Sequence, residues 1–332
     1  LALIISVGHR TGLFDALAGL PPSTSEEVAD SASLNERYVR EWLGAMTVGG
    51  IVEYDAATQK YSLPPEHAAY TTRASGPDNM AFFTTYFPLM GTVEDQLVES
   101  FARGGGVPYE AYPKFQEIQR EETARVYDAT LIDVALPLAP GLVERLEQGI
   151  DVADFGTGAG HAINLMARAF PKSRFTGFDI SETGLAIGRA EAKEWGLRNA
   201  SFEARDSAEF VGGRERFDLI TALDVIHDLA KPRETLQGIY DSLGPGGVFF
   251  CVDMAASSRV EENIDHPMAP FLYGFSIFYC MTTSLAYGGA GWGTLWGEQM
   301  AVDELKRAGF KDVSVEKVEG DILNNYYVAR KQ

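Results

Sequence analysis

At 332 residues, with 45% hydrophobic content, the chain is long enough for two domains with separate cores. Its formal net charge of -19 repels phosphate backbones and makes DNA and RNA poor partners. Two cysteines in apolar company, Cys251 and Cys280, and five scattered histidines offer neither a disulfide framework nor metal-ligand spacing, so a reducing, cytoplasmic setting without a metal is expected.

The chain begins at Leu1 rather than Met. Ile4, Val7, Thr11, Phe14 and Leu17 recur at helical spacing and are interrupted by His9, Arg10 and Asp15, which predicts an amphipathic helix rather than a secretory apolar core. Ser/Thr-x-x-Glu capping boxes at 23–27 and 33–36 predict two further helices, the second running through Tyr38, Trp42 and Met46 to Gly49-Gly50. Residues 51–54 and 60–63 flank a short turn and read as a hairpin, so residues 1–72 form a winged-helix pattern. The helix over 34–46 carries Arg37 and Arg40 beside Glu36 and Glu41 and offers no net positive stripe. Packing or homodimerisation is therefore favoured over DNA reading.

Residues 73–147 read as a helical connector rich in aromatic rings, broken at Gly104-Gly105-Gly106, with Tyr86 and Met90 as candidates for an acceptor pocket. From residue 148 apolar strands alternate with helices. Strands are predicted over 150–155, 174–179, 200–204, 217–223 and 247–253, each but the third followed by a helical stretch, the signature of a parallel sheet covered on both faces. Two last strands, 311–318 and 326–330, are joined by a link too short for a helical crossover and should pair antiparallel.

The strand ending at Asp154 turns through Gly156, Thr157, Gly158 and Gly160. Glycine there admits positive φ and lets backbone approach a ligand. A dinucleotide fingerprint would place its third glycine at position 161, which is His161. The spacing and the preceding acid instead suit S-adenosylmethionine, whose ammonium wants a carboxylate. Asp179, ending the next strand, is placed to grip ribose hydroxyls, with Phe178 and Ile180 beside it for the adenine.

The order of these features resembles the class I S-adenosylmethionine-dependent methyltransferases, in particular bacterial members with an N-terminal winged helix related to small-molecule O-methyltransferases. The resemblance is carried by residues 154–160, 177–180, 217–220 leading into 224–228, 243–247, and 269–298. It implies a Rossmann-like α/β domain over 148–332 with a lid insertion at 264–298. It also implies S-adenosylmethionine as cofactor and S-adenosylhomocysteine as product, with Asp206, Ser207 and Leu223 among the cofactor residues. Ile226-His227-Asp228 is similar to the family's His-Asp pair, so His227 is the candidate general base and Asp228 its orienting partner.

Residues 267–297 contain no charged side chain. With Met268, Phe271, Tyr273, Tyr279 and Trp292 they make the largest apolar reservoir able to cover the carboxyl end of the sheet, and a buried lid is expected rather than a membrane span. The expected reaction is methylation, preferentially at oxygen, of a small apolar aromatic acceptor. The competing reading is a cofactor- or ligand-sensing transcriptional regulator that uses the winged helix.

Overall fold

A computed structural model describes residues 1–206 and 216–332. The chain divides into two compact units, Leu1–Thr92 and Val93–Gln332, so the boundary falls inside the stretch expected to be a single connector.

In the first unit, the single helix expected at the start is two. Gly12, at φ 74°, ends α1 (Ala2–Thr11) in a left-handed turn and begins α2 (Leu13–Ala18). The break changes the direction of the stripe: Phe14 and Leu17 are buried, whereas Ile4 and Val7 are exposed. Helix α3 (Ser25–Ala32) has the expected reciprocal cap between Thr24 and Glu27. Helix α4 (Glu36–Val48) does not use Ser33, which sits at φ 56° and closes α3; Asn35 caps it instead, accepting from the Arg37 N–H. Strands β1 (Glu53–Asp55) and β2 (Lys60–Ser62) pair antiparallel as the wing. Trp42 centres the core, edge-on to Phe14 at 5.0 Å and donating to the Ile4 carbonyl. Arg37 and Arg40 are each paired with a glutamate of the same helix. Short helices α5 (Pro65–Thr71), α6 (Met80–Phe83) and α7 (Tyr86–Gly91) complete the unit.

The second unit opens with α8 (Glu94–Arg103), α9 (Phe115–Tyr127) and α10 (Leu142–Gln148). Its sheet starts with β3 (Asp151–Phe155), followed by α11 (His161–Ala169), β4 (Arg174–Asp179), α12 (Glu182–Glu194), β5 (Ala200–Ala204), β6 (Phe217–Leu223), α13 (Pro232–Ser242) and β7 (Leu243–Met254). The lid segment is helical through α14 (Ala269–Phe275), a π-turn over Ser276–Cys280 and α15 (Met281–Ala286). Helix α16 (Gly297–Arg307) then leads to β8 (Asp312–Glu316) and β9 (Asn324–Arg330). The strand order is β5-β4-β3-β6-β7-β9-β8, parallel except for β9, which runs antiparallel to both β7 and β8.

Alternation along the strands sends Val152, Phe175, Leu219 and Phe250 into one core, and Ala153, Ile220 and Phe249 into the other. Each fully buried phenylalanine contributes about 2–3 kcal/mol. Chain order reverses between β3 and β6, which lie side by side with Phe155 level with Ala222. Open α/β sheets leave a ligand crevice beyond the strand ends at such a reversal. Among the described residues, no helix is long and apolar enough to cross a membrane.

Candidate functional site

The glycine turn after β3 lies at that reversal, and its three glycines have different tasks. All three have positive φ, 64° at Gly156, 54° at Gly158 and 71° at Gly160. A Cβ on Gly156 would stand 2.2 Å from Val225 Cγ2, and one on Gly160 2.4 Å from the Phe202 ring, so both glycines permit close packing. A Cβ on Gly158 would meet only the Gln116 Oε1, at 3.4 Å. That is the glycine left open to a ligand.

The Gly158 N–H donates to Asp179 Oδ2 at 2.8 Å, and the Ser181 N–H donates to Oδ1 at 2.7 Å. Asp179 thus ties the turn to the residue that caps α12, while each oxygen keeps a lone pair for a hydroxyl. The Thr157 N–H donates to the Phe178 carbonyl and holds the turn against β4. Asp154 is buried under the turn and accepts from the Thr221 hydroxyl; burial pushes its carboxyl up to about 6. Phe178 belongs to the core, stacked on Phe155 at 5.6 Å, whereas Ile180 is exposed. Leu223 is half-buried at the end of β6, Asp206 is exposed after β5, and Ser207 lies outside the described residues.

His227 is 2% exposed and its Nδ1 lies 2.8 Å from Asp253 Oδ1. Burial alone would lower its pKa, but the Asp253 carboxylate and the neighbouring Cys280 thiol hold it well above the usual histidine range. The carboxylate bonded to this imidazole is that of Asp253, near the end of β7, and not that of Asp228. The Asp228 carboxyl makes no hydrogen bond among the described residues, and burial raises it to about 7 against the opposing pull of His227. The signal for Asp253 in the sequence is an acid ending an otherwise apolar strand, but its pairing with a residue 26 positions earlier is a product of the fold. Asp224, at φ 60°, brings Oδ1 to 3.8 Å from the same imidazole nitrogen. Asp224, His227 and Asp253 place one ligand atom each within 4.8 Å of the others. This spatial cluster, able to hold a cation or a protonated imidazole, is absent from the linear spacing of the histidines.

Next to this cluster lies a set of rings. Tyr279 is buried and stacks on Phe115 at 3.9 Å, with Tyr112 edge-on at 4.9 Å and Tyr109 at 6.0 Å. The Tyr109 hydroxyl donates to the Asp228 carbonyl, and burial together with the Asp228 charge raises the phenols of both Tyr109 and Tyr279. Of the other expected acceptor residues, Phe271 packs on Phe275, Tyr273 is on the surface, and Met268 is half-buried before α14. Trp292 stacks on Trp296 beneath the Arg233 guanidinium. Tyr86 and Met90 are buried within the first unit.

Raised carboxyl pKa values make a pH prediction. Asp154, Asp224 and Asp228 are held at about 6, 7 and 7. Between about pH 4 and 7 the folded protein binds more protons at these sites than the unfolded chain, so their contribution favours folding at low pH and is lost as pH rises. Asp228 keeps some solvent contact, so Asp228→Asn should gain only about 1–2 kcal/mol at pH 7.5 relative to wild type and almost nothing at about pH 3.5. Thermal unfolding at the two pH values measures this difference.

Residues 1–73 match the model of an Rv2258c-like winged HTH domain, and residues 146–273 that of a methyltransferase domain. A ubiquinone biosynthesis O-methyltransferase of Methylobacterium sp. (strain 4-46) is 28% identical over 111 residues, 33% of this chain and 43% of that protein. The chain thus spans less than half the length of that relative. Over nearly the whole chain the fold is similar to a putative O-methyltransferase of Nostoc punctiforme, with TM-score 0.71, 18% identity and coverage of 99% of this chain and 94% of that one. It is similar also to human N-acetylserotonin methyltransferase in complex with SAM, with TM-score 0.69, 18% identity and coverage of 99% and 93%.

Proposed function

Because the chain belongs among the S-adenosylmethionine-dependent methyltransferases that follow a winged helix-turn-helix domain with a methyltransferase domain, we propose that it methylates an oxygen of a small, apolar, aromatic acceptor. The observation that carries this reading is the Asp179 carboxylate, hydrogen-bonded to the open Gly158 turn and followed across the sheet end by the buried His227–Asp253 pair. A carboxylate with free lone pairs, an unblocked glycine and a positive-φ turn fit the ribose and amino-acid ends of S-adenosylmethionine. That molecule, when bound, supplies an electrophilic methyl group on a cationic sulfur.

The chain's own work is alignment, exclusion of water and removal of the acceptor's proton. The uncharged lid and the rings of Tyr109, Tyr112, Phe115 and Tyr279 favour a flat apolar acceptor over a charged one. Proton removal falls to the neutral form of His227, whose Nδ1 is held by Asp253; because the imidazole pKa is raised, this form and the rate it supports grow toward alkaline pH. Leu3, Ile4 and Val7, exposed on α1, fit burial in a homodimer. The two free, buried cysteines fit a cytoplasmic setting.

Isothermal titration tests the core of this reading. S-adenosylhomocysteine should bind with a Kd in the micromolar range or tighter, and incubation with S-adenosylmethionine and a panel of phenols should release it stoichiometrically with a methyl ether. Failure of S-adenosylmethionine and S-adenosylhomocysteine to bind removes the proposal.

A further inference from the structure

Helix α9 carries a polar group that nothing among the described residues uses. The Gln116 Oε1 is buried and has no hydrogen-bond partner among the described residues. It overhangs the ligand-facing side of the glycine turn, 3.4 Å from the Cβ position of Gly158 and 3.0 Å from that of Gly184. An amide oxygen deprived of water and of a protein donor is a position waiting for a donor from elsewhere.

The helix is also tied down beside that turn. His161 follows Gly160 directly and is the first residue of α11. Its Nδ1 lies 2.9 Å from Glu191 Oε1 and its Nε2 2.8 Å from Asp128 Oδ1, the residue after α9. Glu191 also accepts from Arg120 of α9 at 2.7 Å and from Asn164 of α11 at 3.0 Å. The edge of Trp195, itself under the Arg168 guanidinium, packs against the imidazole. Arg120 of α9 and Asp128 at its C-cap are thereby fixed to α12 and α11, the helices that flank the turn.

We propose that Gln116 is a binding residue for the amino-acid end of the cofactor, accepting from its ammonium, and that His161, Glu191 and Asp128 are positioning residues that hold α9 over the site. This rests on the S-adenosylmethionine reading above. It assigns the ammonium an acceptor in addition to the buried, Thr221-bonded Asp154.

The knot has a pH direction. Burial would lower the His161 pKa, but Glu191 and Asp128 together hold it above the usual value. As pH rises through that value the ring keeps one donor for two carboxylates. Glu191 retains Arg120 and Asn164, so the partner released is Asp128, whose side chain is 59% exposed. The pH-dependent part of cofactor affinity should therefore weaken toward alkaline pH and vanish in Asp128→Asn.

Titration calorimetry with S-adenosylhomocysteine and with 5′-methylthioadenosine, which lacks the amino-acid end, separates the possibilities. Gln116→Leu should weaken S-adenosylhomocysteine at least about tenfold and 5′-methylthioadenosine by less than about twofold. Gln116→Glu, which keeps the acceptor oxygen, should bind S-adenosylhomocysteine as well as wild type or better. Asp128→Asn should weaken S-adenosylhomocysteine several-fold at pH 6.5 and flatten the wild-type loss between pH 6.5 and 9. Equal weakening of both ligands by Gln116→Leu, or of neither, overturns the inference while leaving the cofactor assignment intact. Wild-type protein that binds neither ligand overturns both.

Discussion

Replacing Asp179 by alanine should weaken S-adenosylhomocysteine binding by at least about tenfold, and by as much as about a hundredfold, because two kinds of hydrogen bond disappear together. One kind is internal. The carboxylate holds the Gly158 and Ser181 N–H groups, so its loss leaves the glycine turn tied to β4 by the Thr157 N–H bond to Phe178 and loosens the start of α12. The other is to the ribose hydroxyls that the free lone pairs of Asp179 are placed to take. Asp179→Asn separates the two, since the amide oxygen keeps one backbone N–H while the bidentate anionic grip is lost; its affinity should fall between wild type and alanine. Adenosine as ligand gives the decisive comparison. Asp179→Ala should weaken adenosine and S-adenosylhomocysteine alike, whereas the Gln116 substitution leaves adenosine untouched. Undiminished binding in Asp179→Ala would place the nucleoside somewhere other than this turn.

What could be read from the chain follows how local each feature is. The glycine turn, the acid ending β4 and the strands β5 and β6 were legible because steric need, alternation and length act within a few residues. The antiparallel ending was legible from the shortness of one link. Local rules also misplaced some boundaries. Gly12 admits the left-handed turn that divides the first helix, a choice the apolar spacing of Ile4 through Leu17 does not encode. Ser33 satisfies the capping pattern, yet Asn35 lies at the N-cap and Ser33 closes the preceding helix. The site residues most dependent on topology were not legible at all. Asp253 reaches His227 only because β6 and β7 are neighbours, and Gln116 reaches Gly158 only because α9 packs beside α11. Adjacency in sequence favoured Asp228 as the orienting residue. In three dimensions the 3-10 turn over Ile226–Asp228 leaves the Asp228 carboxyl without a hydrogen bond among the described residues, and the imidazole bonds to Asp253 of β7.

His227→Ala should reduce kcat by roughly 10²–10⁴ while leaving cofactor affinity within about twofold, the pattern of a group used in the reaction rather than in ground-state binding. The accompanying test of mechanism is Asp253→Asn. In the wild type, burial would lower the imidazole pKa and the Asp253 carboxylate reverses that effect. With the charge removed, burial is left less opposed, so the apparent pKa of the His227 limb in kcat against pH should move to lower pH. A merely structural role for Asp253 would lower the rate without moving that limb. The amide also presents either a donor or an acceptor to Nδ1, so it no longer fixes which nitrogen of His227 carries the proton, and kcat should fall with KM for the acceptor little changed. Asp228→Asn serves as the contrast: a carboxyl with no bond to the imidazole cannot set its tautomer, so the limb should keep its sense and move less than in Asp253→Asn. Should His227→Ala turn over at the wild-type rate with a phenol acceptor, alignment and desolvation under the lid would account for transfer without a protein base, and the Asp253 effect would vanish with it.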